Sequence, residues 1–89
     1  MVEAEASELY NPPAYEPGEK VQATKEVRND GTYPGHAMGA FLIHRGDVGY
    51  VKSVGTFLNR FYVYAIDFVD RGMLVGMRTH EIESMEKPQ

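Results

Sequence analysis

From Gly18 to Arg78 apolar residues recur at every second position in short runs, and the runs are separated by glycine, Asp–Gly or proline. A period of two sends successive side chains to opposite faces of a strand, so this stretch predicts sheet rather than helix. Val21, Ala23 and Val27 interleave with Lys20, Gln22, Thr24 and Glu26, which predicts a half-buried strand over 20–28. Further strands are predicted over 40–44, 47–55, 60–69 and 73–78. The run 60–69 is apolar on both faces and reads as central. Residues 80–85, after Thr79, read as one short helical turn near the C-terminus. No run has the length and 3.6 period of a packed helix, which argues against a βαβ nucleotide fold.

Five short strands with glycine-rich turns predict an all-β fold, a small SH3-like five-stranded barrel over 17–85. Gly31, Gly35, Gly46, Gly49 and Gly55 are assigned to its turns and corners. The 89 residues carry a formal charge of −4, spread unevenly. Glu3, Glu5, Glu8, Glu16 and Glu19 precede the first base, Lys20. With Asn11-Pro12-Pro13 among them, residues 1–16 read as a flexible acidic tail, and 86–89 as a C-terminal tail. A chain this short buries only about 60% of its unfolded surface, so its core is thin. It contains no cysteine, hence no disulfide, no thiolate nucleophile and no thiolate cluster ligand. The N-terminus lacks the basic and apolar regions of a signal peptide. No apolar run approaches the roughly 20 residues that span a bilayer. A cytoplasmic protein without membrane partners is expected.

Chemistry is hard to assemble from the remaining residues. His36, His44 and His80 match no metal-ligand spacing. Ser7, Ser53 and Ser84 sit in no nucleophile elbow. Asp67 with Asp70, and Glu81 with Glu83, read as solvated pairs rather than an acid–base couple. The glycines around 46–55 lack the Lys-Ser/Thr of a phosphate loop. No catalytic residue, metal ligand or cofactor is expected. Residues 27–39 are the most unusual segment, because a loop this long inside a small domain tends to be functional or disordered. It reads either as a lid closing the barrel mouth, with Tyr33 and Pro34 packed over the core, or as a partner-docking loop, and the two are compatible. Tyr33 as anchor and Arg28 as charged neighbour are residue types that favour binding hot spots. Arg28, Asn29, Asp30, Thr32, Tyr33 and Pro34, with Arg45 and Asp47 from the following turn, form the expected partner-binding surface. An alternative is a nucleic-acid-binding SH3-like barrel of KOW type. It rests on Gly46-Asp47-Val48-Gly49-Tyr50-Val51 and on Tyr33, Tyr50 and Phe57 as stacking surfaces. The modest basic excess of residues 20–60 makes it the weaker reading, so no nucleic-acid partner is expected.

The run from Val27 to Gly35, Val-Arg-Asn-Asp-Gly-Thr-Tyr-Pro-Gly, resembles the hallmark of the NifZ nitrogen-fixation family. The run from Arg45 to Leu58 is similar to that family's second block. Tyr64-Ala65-Ile66-Asp67-Phe68 and Val75-Gly76-Met77-Arg78 resemble its closing strands. The resemblance covers about residues 17–83. It implies an accessory, chaperone-like factor for maturation of the nitrogenase molybdenum–iron protein, at the fusion of iron–sulfur clusters into the P-cluster. It implies no catalytic activity of the chain itself. The partner would be the immature molybdenum–iron protein, acting as owner of every cluster ligand.

Overall fold

The computed structural model describes residues 7–86. They form an all-β structure of seven strands: β1 (Lys20–Ala23), β2 (Val27–Arg28), β3 (Phe41–Ile43), β4 (Val48–Phe57), β5 (Phe61–Phe68), β6 (Met73–Met77) and β7 (Ile82–Ser84). Five strands make one antiparallel sheet in the order β6-β5-β4-β1-β7, and β2 with β3 makes a separate two-stranded ribbon. The closed five-stranded barrel expected above is therefore not formed by hydrogen bonding, since β6 and β7 remain as the two edges of the large sheet.

The single strand expected over 20–28 is divided. After Ala23 the backbone turns away. Thr24 donates its N–H to the carbonyl of Glu81 and its hydroxyl to that of His80. Val27 and Arg28 then pair with β3 instead. The C-terminal helical turn is also shorter than expected. A 3₁₀ turn spans Thr79–Glu81, and its start is held by the Arg78 N–H on the Glu81 carboxylate at 2.8 Å. Residues 82–84 are strand, because β1 has a vacant edge there and Ile82 gains a fully buried position opposite Ala23.

β4 and β5 form the longest hairpin. Tyr64, Ile66 and Phe68 point from β5 into the core, where all three are almost wholly shielded from solvent. The ladder between them slips by one residue at Lys52. Side chains alternate faces strictly in a regular strand, so without that bulge Ser53 would follow Val51 inward. With it, Val54 packs on the core and Ser53 is exposed. Gly49 and Gly55 lie within β4 rather than at turns, which corrects their assignment above. Gly49 crosses β5 so closely that a Cβ would sit 2.6 Å from Ile66 Cγ2 and 2.9 Å from the Asp67 carbonyl oxygen. The ring of Phe61, on the opposite face of β5, is covered by the Arg78 guanidinium at 3.5 Å. This is cation–π geometry.

Residues 7–16 are tied to the sheet rather than hanging from it as a tail; residues 1–6 lie outside the described residues. The Glu8 N–H donates to the Arg60 carbonyl, and its carboxylate accepts the Tyr62 N–H at 2.8 Å. Tyr62 Oη donates to the Asn11 carbonyl, and Tyr64 Oη accepts the Ala14 N–H. Tyr15 meets Tyr64 edge to face with ring centroids 5.3 Å apart and donates its hydroxyl to the Ile82 carbonyl at 3.0 Å. Burial, and then the nearby Tyr64, Glu19 and Glu83, raise the Tyr15 pKa. Acid and proline content made this segment look like a tail. Its backbone and Glu8 instead satisfy polar groups along β5 that would otherwise lack protein partners.

At the turn before β4, Asp47 accepts the His44 N–H at 2.8 Å and pairs with Arg71 in a bidentate contact, from Nε to Oδ2 and from Nη2 to Oδ1. The hydrogen bond from Arg71, followed by that from His44, holds the Asp47 carboxyl below its usual range. A depressed carboxyl contributes stability above its unfolded pKa and loses it as pH falls through the folded one. The pair is partly solvated, so the expected contribution is about 1 kcal/mol or less. We expect Asp47→Asn to remove that part of the acid sensitivity below about pH 4. Urea unfolding at pH 7 and pH 3 measures it; parallel losses in variant and parent would contradict the assignment.

Candidate functional site

The loop between β2 and β3 is built around one side chain. Asn29 is 2% exposed. Its Nδ2 donates to the carbonyls of Tyr33, His36 and Ala37 at 3.1, 2.9 and 3.3 Å. Its Oδ1 accepts the N–H groups of Gly31 and Tyr33, both at 3.0 Å. Its own backbone closes the loop neck, with N–H to the Ala40 carbonyl and C=O from the Gly39 N–H. An amide is the side chain that supplies donor and acceptor together, and neither Asp nor Ala reproduces this. Asn29 therefore shapes the loop from inside and is not a surface contact, which corrects its place among the partner-binding residues.

Asp30 fixes the next turn. Its carboxylate accepts the Thr32 N–H at 3.1 Å and hydroxyl at 2.6 Å. The Thr32 hydroxyl, then its N–H, lower the Asp30 pKa. Gly31 and Gly35 take φ of 102° and 87°, the left-handed region that a Cβ disfavours. The outcome is an ordered loop that shows Arg28, Asp30, Thr32 and Pro34 to solvent, with Tyr33 half-buried on the core. Tyr33 also meets His36 edge to face at 5.6 Å. Arg28 lies 4.2 Å over the Phe41 ring, on which His44 stacks as well.

Between this loop and β6 runs an open groove of about 240 Å³. Arg28, Asp30, Thr32 and Tyr33 line one side, and Leu74, Val75 and Gly76 the other. Five of the expected binding residues, Asn29 included, thus gather at one place. Arg45 and Asp47 do not join them. Arg45 lines a separate hollow with Gln22 and Glu83, and Asp47 a third with Asp70 and Arg71. Sequence reasoning missed the β6 wall. The only signal for it was that Leu74 takes an outward position in an alternating strand.

The other exposed aromatics do not extend the site. Tyr50 sits beside Lys20 and Val69, and Phe57 ends β4. They are roughly 20 Å apart at strand rise, and neither lines the groove that holds Tyr33. Among the described residues no three His, Asp or Glu side chains converge on a metal position. No helix among them is long and apolar enough to cross a membrane.

The NifZ domain matches residues 12–84. The putative NifZ protein of Sinorhizobium fredii is 53% identical over 81 residues, covering 91% of this chain and 75% of the relative. The probable NifZ protein of Rhodobacter capsulatus is 54% identical over 70 residues, covering 79% and 90%. Protein NifZ of Azotobacter vinelandii is 46% identical over 70 residues, which is 79% of this chain but 44% of that protein. No solved structure matches the chain. A domain match that takes in both the stapled loop and the whole sheet, together with relatives of this identity, places the chain in the NifZ family of nitrogen-fixation proteins.

Proposed function

We propose that this chain is an accessory, chaperone-like factor in maturation of the nitrogenase molybdenum–iron protein, acting by protein binding and without catalysis of its own. The observation that carries this reading is the loop after β2. The residues most characteristic of the family resemblance are used to prebuild an exposed, rigid loop beside a groove, with Asn29 spending its whole hydrogen-bonding capacity on it. Preorganisation of that kind reduces the ordering cost of association. The 89 residues contain no cysteine, so thiolates for a cluster come from the partner. The arrangement is read as SH3-like. A long excursion separates β1 from the β4-β5-β6 meander, and a 3₁₀ turn precedes a last strand paired with the first.

A binding factor shifts a maturation equilibrium only by preferring one state. The chain, immobilised in full, is expected to hold immature molybdenum–iron protein at least about tenfold more tightly than the mature form. Tyr33→Ala is expected to weaken that capture by about 30-fold, the scale of a central aromatic anchor. Arg28→Glu, which alters an exposed side chain, should weaken it while costing no more stability than the lost contact with the Phe41 ring, about 1 kcal/mol or less. Equal affinity for the two forms would sink the chaperone reading.

A further inference from the structure

β6 is an edge strand, and it lacks the protection that edges ordinarily carry. Every second residue of an edge strand directs its N–H and C=O away from the sheet. Proteins blunt such edges with charge, proline, bulges or a covering segment. The opposite edge, β7, carries Glu83. β6 reads Met-Leu-Val-Gly-Met, with no charge and no proline, and its ladder with β5 is regular over all five residues. Among the described residues, no backbone hydrogen bond joins it to anything but β5. The groove, about 240 Å³ of open space, separates it from β2 and the loop that follows, and β2 pairs with β3 instead.

The groove carries one cation and one anion, and only the cation is free to meet an occupant's charge. Asp30 stays ionised but turns its carboxylate onto the Thr32 N–H and hydroxyl. Arg28 rests on the Phe41 ring, and the ion pairs among the described residues are Lys25–Glu81 and Asp47–Arg71. One uncommitted cation thus borders an unpaired strand edge. Gly76 and Leu74 are exposed along that edge, so a neighbouring strand meets one position with no side chain and one apolar side chain. Tyr33 and Val75 offer the apolar contact at the groove floor.

We propose that β6 binds its partner by strand addition. The occupant is an extended segment of a partner protein, apolar at alternate positions, with a carboxylate placed to meet Arg28. Main-chain pairing supplies affinity in this mode, and alternate side chains supply specificity. This deepens the docking function proposed above and rests on it only for the partner's identity.

The probe is a random peptide library displayed on phage and selected on the full chain. Selected peptides are expected to alternate apolar and polar residues and to carry a carboxylate. Bound, they should slow hydrogen exchange at alternate amides of β6 while leaving β7 unchanged. N-methylation of alternate peptide amides, which keeps every side chain, should weaken binding at least about tenfold. Arg28→Glu should disfavour carboxylate peptides by about tenfold, and a lysine in place of the carboxylate should restore them. A selection that yields no binder overturns the proposal. So do binders that protect another element, that protect β6 without alternation, or that tolerate N-methylation. Capture of the molybdenum–iron protein with β6 exchange unchanged would overturn strand addition alone. Binders that protect β6, with no capture, would overturn the choice of partner and uphold the mode.

Discussion

Asn29→Asp is expected to lower the unfolding free energy by about 3 kcal/mol, the loss of several buried hydrogen bonds at once. The change is isosteric, so packing is not at issue. The Nδ2 that serves the carbonyls of Tyr33, His36 and Ala37 becomes an oxygen, and an anion faces three carbonyl dipoles at a position 2% exposed. Burial and those dipoles push the new carboxyl above its ordinary pKa. A group with a raised folded pKa is best tolerated when protonated, so the variant should recover stability as pH falls and lose it as pH rises through the folded value. Thermal unfolding from pH 4 to 8 reads the trend, and amide exchange over 30–39 reads the loop. Parental protection of the Gly31 and Tyr33 amides in the variant would show that the loop does not depend on this side chain. If the loop does depend on it, partner capture is expected to fall with it, although Asn29 itself is buried.

Gly49→Ala is the second large effect. The added methyl would lie 2.6 Å from Ile66 Cγ2, 2.9 Å from the Asp67 carbonyl oxygen and 3.0 Å from Phe68 Cδ1. The carbonyl belongs to the β4–β5 ladder and cannot swing aside as a side-chain tip does. Overpacking in a closed site costs about 1–3 kcal/mol, and the backbone contact puts this case at the upper end. In a domain of this size that lowers the melting temperature by roughly 10–20 °C. Gly55→Ala is the internal comparison. It lies in the same strand with nothing within 4 Å of the new methyl, and should change stability by less than about 1 kcal/mol. Similar losses for the two would mean that β4 is sensitive to glycine replacement in general and that the close crossing is not the cause.

These positions also mark how far the sequence can be read. The strand runs at 40–44, 47–55, 60–69 and 73–78 were legible because period-two alternation is local. The break after Ala23 was not, since it depends on carbonyls of His80 and Glu81 that arrive from the far end of the chain. β7 is hidden for the same reason, because Ile82–Ser84 becomes strand only once β1 offers it an edge. At the site, Arg28, Asp30, Thr32 and Tyr33 were identified together from the character of one segment, and they do meet. The inward turn of Asn29 was invisible. It is decided by three carbonyls converging on one point, and no spacing rule encodes that. Arg45 and Asp47 were grouped with the loop by residue type alone, and the ribbon carries them to other hollows.

Lys52 carries one more consequence. Its side chain is exposed and reaches no part of the core, yet it is the residue at which the β4–β5 pairing changes phase. Its chemistry is dispensable, but the bend it makes is not. A substitution that keeps the bulged backbone leaves the interior undisturbed, and so would deletion, because Val51, Ser53 and Val54 would then alternate regularly with Val54 still inward. Straightening the strand with Lys52 retained would instead bring Ser53 to the inner face. Information at this position is held in backbone shape rather than in residue type.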